Sequence, residues 1–579
     1  MPPNHDVPPP AGLDRWLPGL ALFARYPRAA LPGDLIAGAS ACIVMIPSVI
    51  AYSDLVGVPP VAGLYAALGA MVAYALLGSG TRVIAGPDAA IALLAGAAVV
   101  PLADGDPGRA AALAAALAML AGALLLVAAR LKFGGIADLL SKPVLLGYMN
   151  GAALVLAATQ LGRLTGVPVH EETFFLRVAE VARKLPEAHG PTVAASAVLI
   201  ALLLALRRVA PRVPGALVAC AIALAASFAV DLGAAGMALI GPVPQGLPRP
   251  ALPRTSFEDM QALLPAALGI AFLVFAEGVL LARAFADRHR EEVDANRELA
   301  ALGAANAAAG AIGGFAVTAS QSRTTIVDDA GGRTQLAQWV AAALLVLFLL
   351  YLAPLLGRLP VVALAAILVV AGVTLLDWAE MRRLRAVDRR AFRLSVSVTL
   401  GVLVTGVVPG ILLGVALSLL GVLLSVSRPR DAVLKRLPND HRFHDLEDGE
   451  TGDSPPGVLV YRLYAPLIFA NARHVAARVR SLVRNAPEPV RCIVLDLQAV
   501  TVMDITAIET FYALYSELTD AGIDVRVAHA NRPLREQLMR LGLAKEIGEE
   551  RFFHAAWEAV DDWVERGAKS LPPAPHPTH

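Results

Sequence analysis

Long apolar stretches alternate with short polar connections along the first 427 residues of the chain. An α-helix needs about 20 apolar residues to cross a hydrocarbon layer of ~30 Å, and most of these stretches approach that length. The pattern therefore predicts a polytopic α-helical membrane protein. We predict fourteen membrane segments, at residues 35–53, 62–78, 87–100, 110–129, 143–161, 192–206, 214–230, 263–282, 298–313, 322–330, 336–355, 361–376, 391–407 and 409–427.

Charged and hydroxyl side chains interrupt this pattern in residues 314–334, GFAVTASQSRTTIVDDAGGRT. The helix predicted within it, 322–330, ends after about nine residues at a Gly-Gly pair, so it covers only half of the membrane. A helix that begins at mid-membrane directs free backbone N–H groups and the positive end of its dipole toward an anion. Arg323 adds a full charge, and we expect Ser320, Ser322 and Arg323 to bind the substrate. The alternative is a polar cytoplasmic loop.

A second interrupted segment weakens that alternative. It covers residues 80–101, GTRVIAGPDAAIALLAGAAVVP. A helix over 87–100, with Pro87 at its first position and Pro101 at its end, rises only about 21 Å. Two short helices at corresponding places in the two halves of an apolar chain indicate a transporter with its site near the membrane midplane. Each is third in a set of seven segments, so the pattern predicts a 7+7 inverted repeat, although the two halves share no convincing identity.

Composition agrees with the membrane class and excludes several others. With 57% hydrophobic and 17% charged residues, the chain is too apolar for a soluble protein, and its net charge of +1 gives no basis for nucleic-acid binding. The three widely spaced cysteines, Cys42, Cys220 and Cys492, support neither a disulfide framework nor a metal cluster. We find no nucleophile–base triad, metal-ligand spacing or P-loop, and we expect no enzymatic activity, cofactor or metal.

Charge also predicts the orientation. The predicted inner connections are rich in Arg and Lys, whereas the short outer connections near 55–61, 314–319 and 408 contain neither. Residues 1–33 are Pro-rich and lack the apolar core of a signal peptide, so we expect a cytoplasmic N-terminal tail. Both termini are then cytoplasmic, and the protein is expected in the lipid bilayer of the plasma (inner) membrane.

A soluble domain is predicted after the membrane domain of residues 34–427. Residues 428–455 are expected to form a polar linker, 456–566 the domain and 567–579 a disordered tail. Strand-like runs alternate with helical patterns, which predicts a small α/β domain. The strands are expected at 457–465, 491–500 and 523–530, and the helices at 471–485, 505–521, 532–543 and 554–566.

Several stretches resemble the SulP anion transporters, also called solute carrier family 26. They are DLIAGASACIVMIPSVIAYSDLVGVPPVAGLY, IAGPDAAIALL, VDANRELAALGAANAAAG and SQSRTTIVDDAGGRTQLA. IVLDLQAVTVMDITAIETF resembles the STAS domain that such proteins carry at their cytoplasmic end. The resemblance implies a secondary transporter of small anions in which a core domain (segments 1–4 and 8–11) moves against a gate domain (5–7 and 12–14). It also implies a homodimer and a possible cytoplasmic protein partner at the STAS domain.

The resemblance places the anion between the starts of the two short helices. It implies backbone contacts near Asp88, Ala89, Ser322 and Arg323, with Ser48 and Tyr52 of the first segment lining the site. Ser48 stands where many members have Gln, and Asp88 stands where many have an apolar residue, so the identity of the substrate stays open. Ser and Tyr in membrane segments also serve as plain helix contacts, and an Asp at this position also serves as a helix cap.

Two further residues carry candidate roles. Glu277 lies in the apolar run GIAFLVFAEGVLLARAFA at the place where coupled members have a carboxylate, so we expect it to bind the coupling ion. The alternative is a Glu that neighbouring groups pair or satisfy. Thr506 loosely matches the position that related antagonist domains phosphorylate, but Ala507 follows where Gly is usual, and helix capping is the simpler reading.

These observations predict secondary active transport of a small inorganic anion by alternating access. We expect sulfate as substrate and a proton as coupling ion, with bicarbonate or a small dicarboxylate as alternative substrates, sodium as alternative ion, and an anion exchanger or channel-like member also open. A nucleobase carrier of the same fold is more remote, because a neutral base has no need of Arg323. A third class is a regulatory scaffold in which the soluble domain is the active part and the membrane part is only an anchor. Fourteen membrane segments with two interrupted helices are more than an anchor needs.

Overall fold

The chain forms two compact units, Met1–Ser418 and Leu419–His579. The computed structural model describes residue 19 and residues 26–134, 142–171, 173–210, 213–437, 440–446, 452–540 and 543–567. Of the two predicted tails, residues 1–18, 20–25 and 568–579 lie outside the described residues. The two units are described separately below.

Helices account for most of the first unit, and each of the fourteen predicted segments coincides with one of them. The helices are α1 (Leu31–Val56), α2 (Pro60–Leu77), α3 (Ala89–Ala103), α4 (Pro107–Arg130), α5 (Lys142–Thr159), α6 (Leu161–Thr165), α7 (Phe174–Lys184), α8 (Gly190–Val209), α9 (Gly215–Ala229), α10 (Phe257–His289), α11 (Ala295–Ala311), α12 (Gln321–Asp329), α13 (Leu336–Tyr351), α14 (Val361–Leu375), α15 (Trp378–Val387), α16 (Arg389–Thr405) and α17 (Val407–Ser427).

Length and composition confirm the predicted membrane class. Within the described part of the chain, 8 helical stretches are long and apolar enough to cross a membrane, and α3, α9 and α13 are shorter apolar helices. The additional helices α6, α7 and α15 lie in connections between predicted segments. The inverted repeat and the division into core and gate domains stay predictions.

Two extended stretches, β1 (Ala85–Gly86) and β2 (Thr318–Ala319), precede the two short helices and pair antiparallel. The prediction that 314–319 is an outer connection is wrong in part, because Phe315, Ala316 and Val317 are completely buried. A helix that begins in the interior must be reached by extended chain, and that chain cannot lie at the surface. Pro87 also differs from expectation: it precedes the cap residue Asp88 instead of opening the helix, and α3 continues through Pro101 to Ala103.

Small residues let the helices of this unit approach closely. A Cβ atom added to Gly122 of α4 would lie 2.7 Å from the carbonyl oxygen of Gly303 in α11. One added to Gly310 of α11 would lie 2.5 Å from the carbonyl oxygen of Ala115 in α4. Such contacts are typical of membrane helices, which associate by close backbone packing because lipid provides no hydrophobic drive between them.

The second unit is an α/β domain around a 6-stranded sheet of order β4-β3-β5-β6-β7-β8. Its strands are β3 (Asp431–Arg436), β4 (Phe443–His444), β5 (Val458–Leu463), β6 (Cys492–Asp496), β7 (Asp524–Ala528) and β8 (Phe552–Phe553). Its helices are α18 (Ala472–Arg484), α19 (Ile505–Asp520), α20 (Arg532–Arg540), α21 (Leu543–Ile547) and α22 (Ala556–Gly567). The predicted α/β class and the three predicted strands are confirmed.

One strand of this sheet comes from the predicted linker. Residues 431–436 form β3, which pairs antiparallel with β5, whereas β5, β6, β7 and β8 are parallel. Leu434 of β3 is completely buried against the sheet core. The segment was predicted as a linker because a single buried apolar residue among charged ones gives no strand pattern.

Candidate functional site

The starts of α3 and α12 lie side by side, because the strands that precede them are paired. Ala85 of β1 is opposite Ala319 of β2, and Ser320 N donates a hydrogen bond to the carbonyl oxygen of Ile84 at 2.9 Å. Each helix therefore directs its free backbone N–H groups into the same region. Two helix N-termini that converge in a membrane interior form an anion-attracting position without any charged side chain.

Side chains of neighbouring helices hold the two extended stretches in place. Gln338 of α13 accepts from Ala85 N at 2.9 Å and donates to the carbonyl oxygen of Met71 at 2.9 Å. Asn306 of α11 accepts from Val317 N and donates to its carbonyl oxygen, both at 2.9 Å. Backbone polar groups in an apolar interior must be satisfied by protein, and here the two amides satisfy them.

Arg323 lies on the first turn of α12 with 2% of its surface exposed. One guanidinium nitrogen, Nη2, donates to the carbonyl oxygen of Pro87 at 2.6 Å, which ties α12 to the residue before the cap of α3. Its Nε is buried and no described protein group accepts from it. Among the residues described, no carboxylate forms an ion pair with Arg323, although Asp88 is near enough to interact with it electrostatically.

Asp88 is the N-cap of α3, and its side chain accepts from Ala90 N at 3.2 Å. The capping alternative is thus realised. Asp88 is also close enough to interact electrostatically with Arg323, Tyr52 and Glu277. Ala89, the first residue of the helix, is buried beside it. A capping carboxylate next to this arginine leaves the site only partly positive before an anion arrives.

The hydroxyl residues differ in their surroundings. Ser48 and Tyr52 share one face of α1, but Ser48 Oγ donates to the carbonyl oxygen of Val44 in its own helix at 3.2 Å. Ser320 is buried with its Oγ 3.4 Å from that of Ser322, whereas Ser322 is exposed. The structure brings Tyr52, Ser320 and Ala89 to the helix starts with Arg323, and the side chain of Ser48 lies beside that of Tyr52 while it bonds its own helix.

Glu277 of α10 has one buried carboxylate oxygen, Oε1, to which no described protein group donates. The Tyr148 hydroxyl of α5 is also buried, has no hydrogen-bond partner among the described residues, and interacts electrostatically with Glu277. A lone tyrosine in an apolar stretch carries no signal in the sequence, so Tyr148 was missed. A carboxylate in such surroundings is costly while charged, which fits a group that takes up and releases a positive ion.

Two completely buried carboxylates, those of Glu298 and Asp34, have structural roles in this unit. Glu298 accepts from the Tyr74 hydroxyl, from Ser79 N and Oγ, and from Gly80 N at 2.6–2.8 Å. Asp34 accepts from the Tyr26 hydroxyl, from Arg333 N and from Thr334 N and Oγ1. Both are completely buried and fully engaged, so neither is available to a substrate.

In the second unit, Thr506 is exposed on the first turn of α19. The helix cap is Asp504, which accepts from Ala507 N at 2.8 Å and from Phe469 N at 2.7 Å. Thr506 is therefore accessible and not required as a cap. Within the described residues, no group of three or more His, Cys, Asp and Glu side chains could hold a metal ion.

Family models match both units of the chain. A model described as the sulfate permease family matches residues 31–398, and one described as the STAS domain matches residues 453–559. A probable sulfate transporter of Mycobacterium tuberculosis (strain ATCC 25618 / H37Rv) is 41% identical over 551 residues, which are 95% of this chain and 98% of that protein. Sulfate transporter 4.1, chloroplastic, of Arabidopsis thaliana is 28% identical over 550 residues, 91% of this chain and 79% of that protein.

Solved structures resemble the same architecture. The murine Solute Carrier 26 family member A9 anion transporter, in a structure described as inward-facing, aligns with a TM-score of 0.88 at 20% identity over 98% of this chain and 97% of that chain. The transmembrane domain of a cyanobacterium bicarbonate transporter, BicA, aligns with a TM-score of 0.58 at 23% identity over 67% of this chain and 96% of that chain. At these identities the likeness shows a shared fold.

Proposed function

Since the chain belongs to the sulfate permease family, we propose that it is a secondary active transporter of a small inorganic anion, with sulfate as the first candidate. The family is one of transporters, in agreement with the expectation that the chain is not an enzyme. Sulfate is favoured because the relative that is 41% identical over 95% of this chain is described as a probable sulfate transporter. Bicarbonate and small dicarboxylates are the competing substrates.

The main observation behind this proposal is Arg323, which lies where the starts of α3 and α12 meet. Arg323 is buried, makes one hydrogen bond to Pro87, and has no ion-pair partner among the described residues. A buried charge whose neighbouring carboxylate, Asp88, forms no ion pair with it is costly in a membrane protein, and an anion at the helix starts would offset that cost. Tyr52, Ser320 and the backbone at Ala89 are the polar groups that would orient it, with Ser48 and Ser322 beside them.

The positions of these groups support alternating access. All the proposed site residues of the first unit stand on α1, α3, α10 and α12, which correspond to predicted core segments, or on the residues that cap those helices. The opposing helices α5, α8, α9, α14, α16 and α17 correspond to predicted gate segments. An anion held by one set alone can be carried when that set moves against the other, which exposes the site to each side in turn.

Glu277 is the group we propose for coupling to a proton, with sodium as the alternative ion. An anion that crosses alone works against an inside-negative potential that costs ~2.3 kcal/mol per charge per 100 mV. A proton carried on Glu277 cancels one negative charge of the substrate. The buried, undonated Oε1 of Glu277 and its electrostatic interaction with Asp88 support this role.

Uptake of radiolabelled sulfate into proteoliposomes tests the proposal. Saturable sulfate uptake is expected in the unmodified protein, with bicarbonate, succinate and uracil as unlabelled competitors that separate the alternatives. Arg323→Ala should abolish this uptake or raise KM at least about tenfold, because hydrogen bonds to charged groups contribute about 1.5–3 kcal/mol. Arg323→Lys keeps the charge without the planar guanidinium and should retain part of the activity.

Arg109→Gln serves as the matched control, because it removes an arginine paired with Asp259 at 3.0 Å and half exposed at the surface. Its uptake kinetics should match those of the unmodified protein. Wild-type kinetics in purified, folded Arg323→Ala would contradict the site assignment. If unlabelled succinate or uracil reduced the uptake of labelled sulfate and unlabelled sulfate did not, the proposed substrate class would be wrong.

The remaining assignments are also proposals. We place the protein in the plasma (inner) membrane with both termini cytoplasmic, as a homodimer, with a cytoplasmic protein partner at the STAS domain. The exposed position of Thr506 is compatible with phosphorylation there.

A further inference from the structure

A large cavity opens in the first unit at the end where α1 and α3 finish, which is the predicted outer side. Its volume is about 1100 Å³. Gly57 and Pro101 line it from α1 and α3, and residues of α5 to α8, α14, α16 and α17 line it from the opposite side. We call it the Arg163 cavity. It is far larger than one oxyanion, so a hydrated anion can enter.

The charged and titratable groups that line this cavity are Asp54, Arg163, Arg177 and His189. The single carboxylate among them, Asp54, is already paired with Arg163. The two charges of this pair face the cavity together. An anion that enters the cavity would compete with Asp54 for Arg163.

The Asp54–Arg163 pair joins two parts of the cavity wall. Asp54 is in the last turn of α1, which also carries Ser48 and Tyr52, whereas Arg163 is in α6 on the opposite wall. The two side chains are 25% and 36% exposed, so the pair is reachable from the cavity. A pair this exposed contributes about 0.2–1 kcal/mol, so an anion that competes for Arg163 can break it.

The inner end of the cavity lies next to the proposed anion site. Leu55 lines the cavity and is three residues beyond Tyr52, about 4.5 Å along α1. Leu93 also lines it and is four residues beyond Ala89, about 6 Å along α3. Val402 and Leu403 of α16 complete this end from the opposite wall. The cavity thus reaches residues about one helical turn from Tyr52 on α1 and from Ala89 on α3.

We propose that the Arg163 cavity is an anion-binding vestibule in which an arriving oxyanion takes Arg163 away from Asp54. The same event releases α1 from α6, so that binding at the outer side loosens the wall through which the anion must pass. The proposal rests on the proposed function as an anion transporter. It assigns Arg163 as a second anion-binding residue and Asp54 as its competitor.

Opposite effects of the two single variants on uptake test the competition. Arg163→Gln should raise the KM for external sulfate about tenfold, because it removes the charge that binds the anion. Asp54→Asn should lower that KM about two- to fivefold, because it frees Arg163 from a partly exposed pair. The double variant should resemble Arg163→Gln, since the competitor no longer matters once its target is absent. Arg109→Gln, which breaks the Arg109–Asp259 pair outside the cavity, is the control and should leave KM unchanged.

A binding measurement separates the vestibule from the proposed transport. In the Arg323→Ala background, sulfate should still raise the thermal unfolding temperature of the purified protein at high concentration, and adding Arg163→Gln should remove that shift. If both single variants instead raise KM, the pair is only a brace between helices and the proposal is overturned. Sulfate stabilisation that is identical with and without Arg163 also overturns it. Absence of any sulfate uptake by the unmodified protein, with the Arg163-dependent shift intact, contradicts the proposed function and leaves the vestibule supported.

Discussion

The buried ionisable side chains of the first unit fall into two groups by their hydrogen bonds. Asp34 and Glu298 accept from several protein donors and hold loops to helices. Glu277 and Arg323 each keep a buried polar atom without a partner among the described residues. Burying a polar group without a hydrogen bond costs about 1–3 kcal/mol in proteins, so the unsatisfied atoms of Glu277 and Arg323 do not stabilise the fold.

Glu277→Gln tests the coupling role, because the amide mimics the protonated carboxyl permanently. We expect the variant to bind sulfate and to exchange internal for external anion, but not to accumulate sulfate in response to a pH gradient. Counterflow and gradient-driven uptake of the same liposome preparation measure the two activities. Retained pH-driven accumulation would transfer the coupling role to Asp88 or to sodium, and loss of both activities would make Glu277 a structural residue.

Glu298→Gln is the matched carboxylate for this comparison. It replaces a fully hydrogen-bonded carboxylate by an uncharged amide: the amide oxygen can keep the bonds from Ser79 and Gly80, but the nitrogen then faces the Tyr74 hydroxyl, which donates to the carboxylate in the native protein. We expect a lower thermal unfolding temperature with pH-driven accumulation preserved in the folded fraction. The opposite result, an unchanged unfolding temperature with lost coupling, would undermine the distinction between the two groups.

At the scale of elements, the site depends on two helices that start inside the protein. α3 and α12 each follow an extended stretch, and the pairing of β1 with β2 brings their starts together. Only two residues of each stretch pair, so most of their backbone groups need other partners. Gln338 and Asn306 supply them from α13 and α11. These amides therefore fix the chain at the starts of the two short helices, where the proposed anion site lies.

Gln338→Leu should disorganise this arrangement. It leaves Ala85 N without its partner, an unsatisfied buried group that costs about 1–3 kcal/mol, and it removes a second donor from the carbonyl oxygen of Met71. We expect a lower thermal unfolding temperature and a higher KM for sulfate, because α3 loses its fixed start. Thr374→Val is the control: its exposed hydroxyl bonds only the Ala371 carbonyl of its own helix. Equal kinetics and stability of Gln338→Leu and wild type would show that β1 is held by other means.

At the scale of the whole molecule, the second unit begins earlier than its strongest sequence signals suggest. β3 contributes a strand to the sheet next to β5, and its Leu434 is part of the core together with Val460 and Val494. A fragment that starts at residue 456 lacks this strand and exposes the edge of β5. Unpaired strand edges promote aggregation.

Expressing the second unit alone, as residues 428–567 or as residues 456–567, tests this boundary. The longer fragment should be monomeric and unfold at a higher temperature, whereas the shorter one should aggregate or unfold earlier. Size-exclusion chromatography and thermal unfolding compare them. In the full chain, deletion from residue 428 should lower transport activity or assembly but leave the choice of anion unchanged. A shorter fragment that is as stable as the longer one would remove β3 from the domain.

The sequence by itself determined the membrane class, the positions of the fourteen helices and the α/β class of the second unit, because apolar length and periodicity report local structure directly. It also singled out Arg323, Glu277 and Asp88, since an ionisable residue inside an apolar run is costly wherever it lies. Only the tertiary structure decided which charges are satisfied, that residues 314–319 run through the interior, that 431–436 join the sheet, and that Asp54 meets Arg163. Each of these depends on strand pairing between separate segments or on partners that are distant in the chain, from 109 residues for Asp54 and Arg163 to 299 for Asp34 and Arg333. Contacts across such distances leave no pattern in either segment alone.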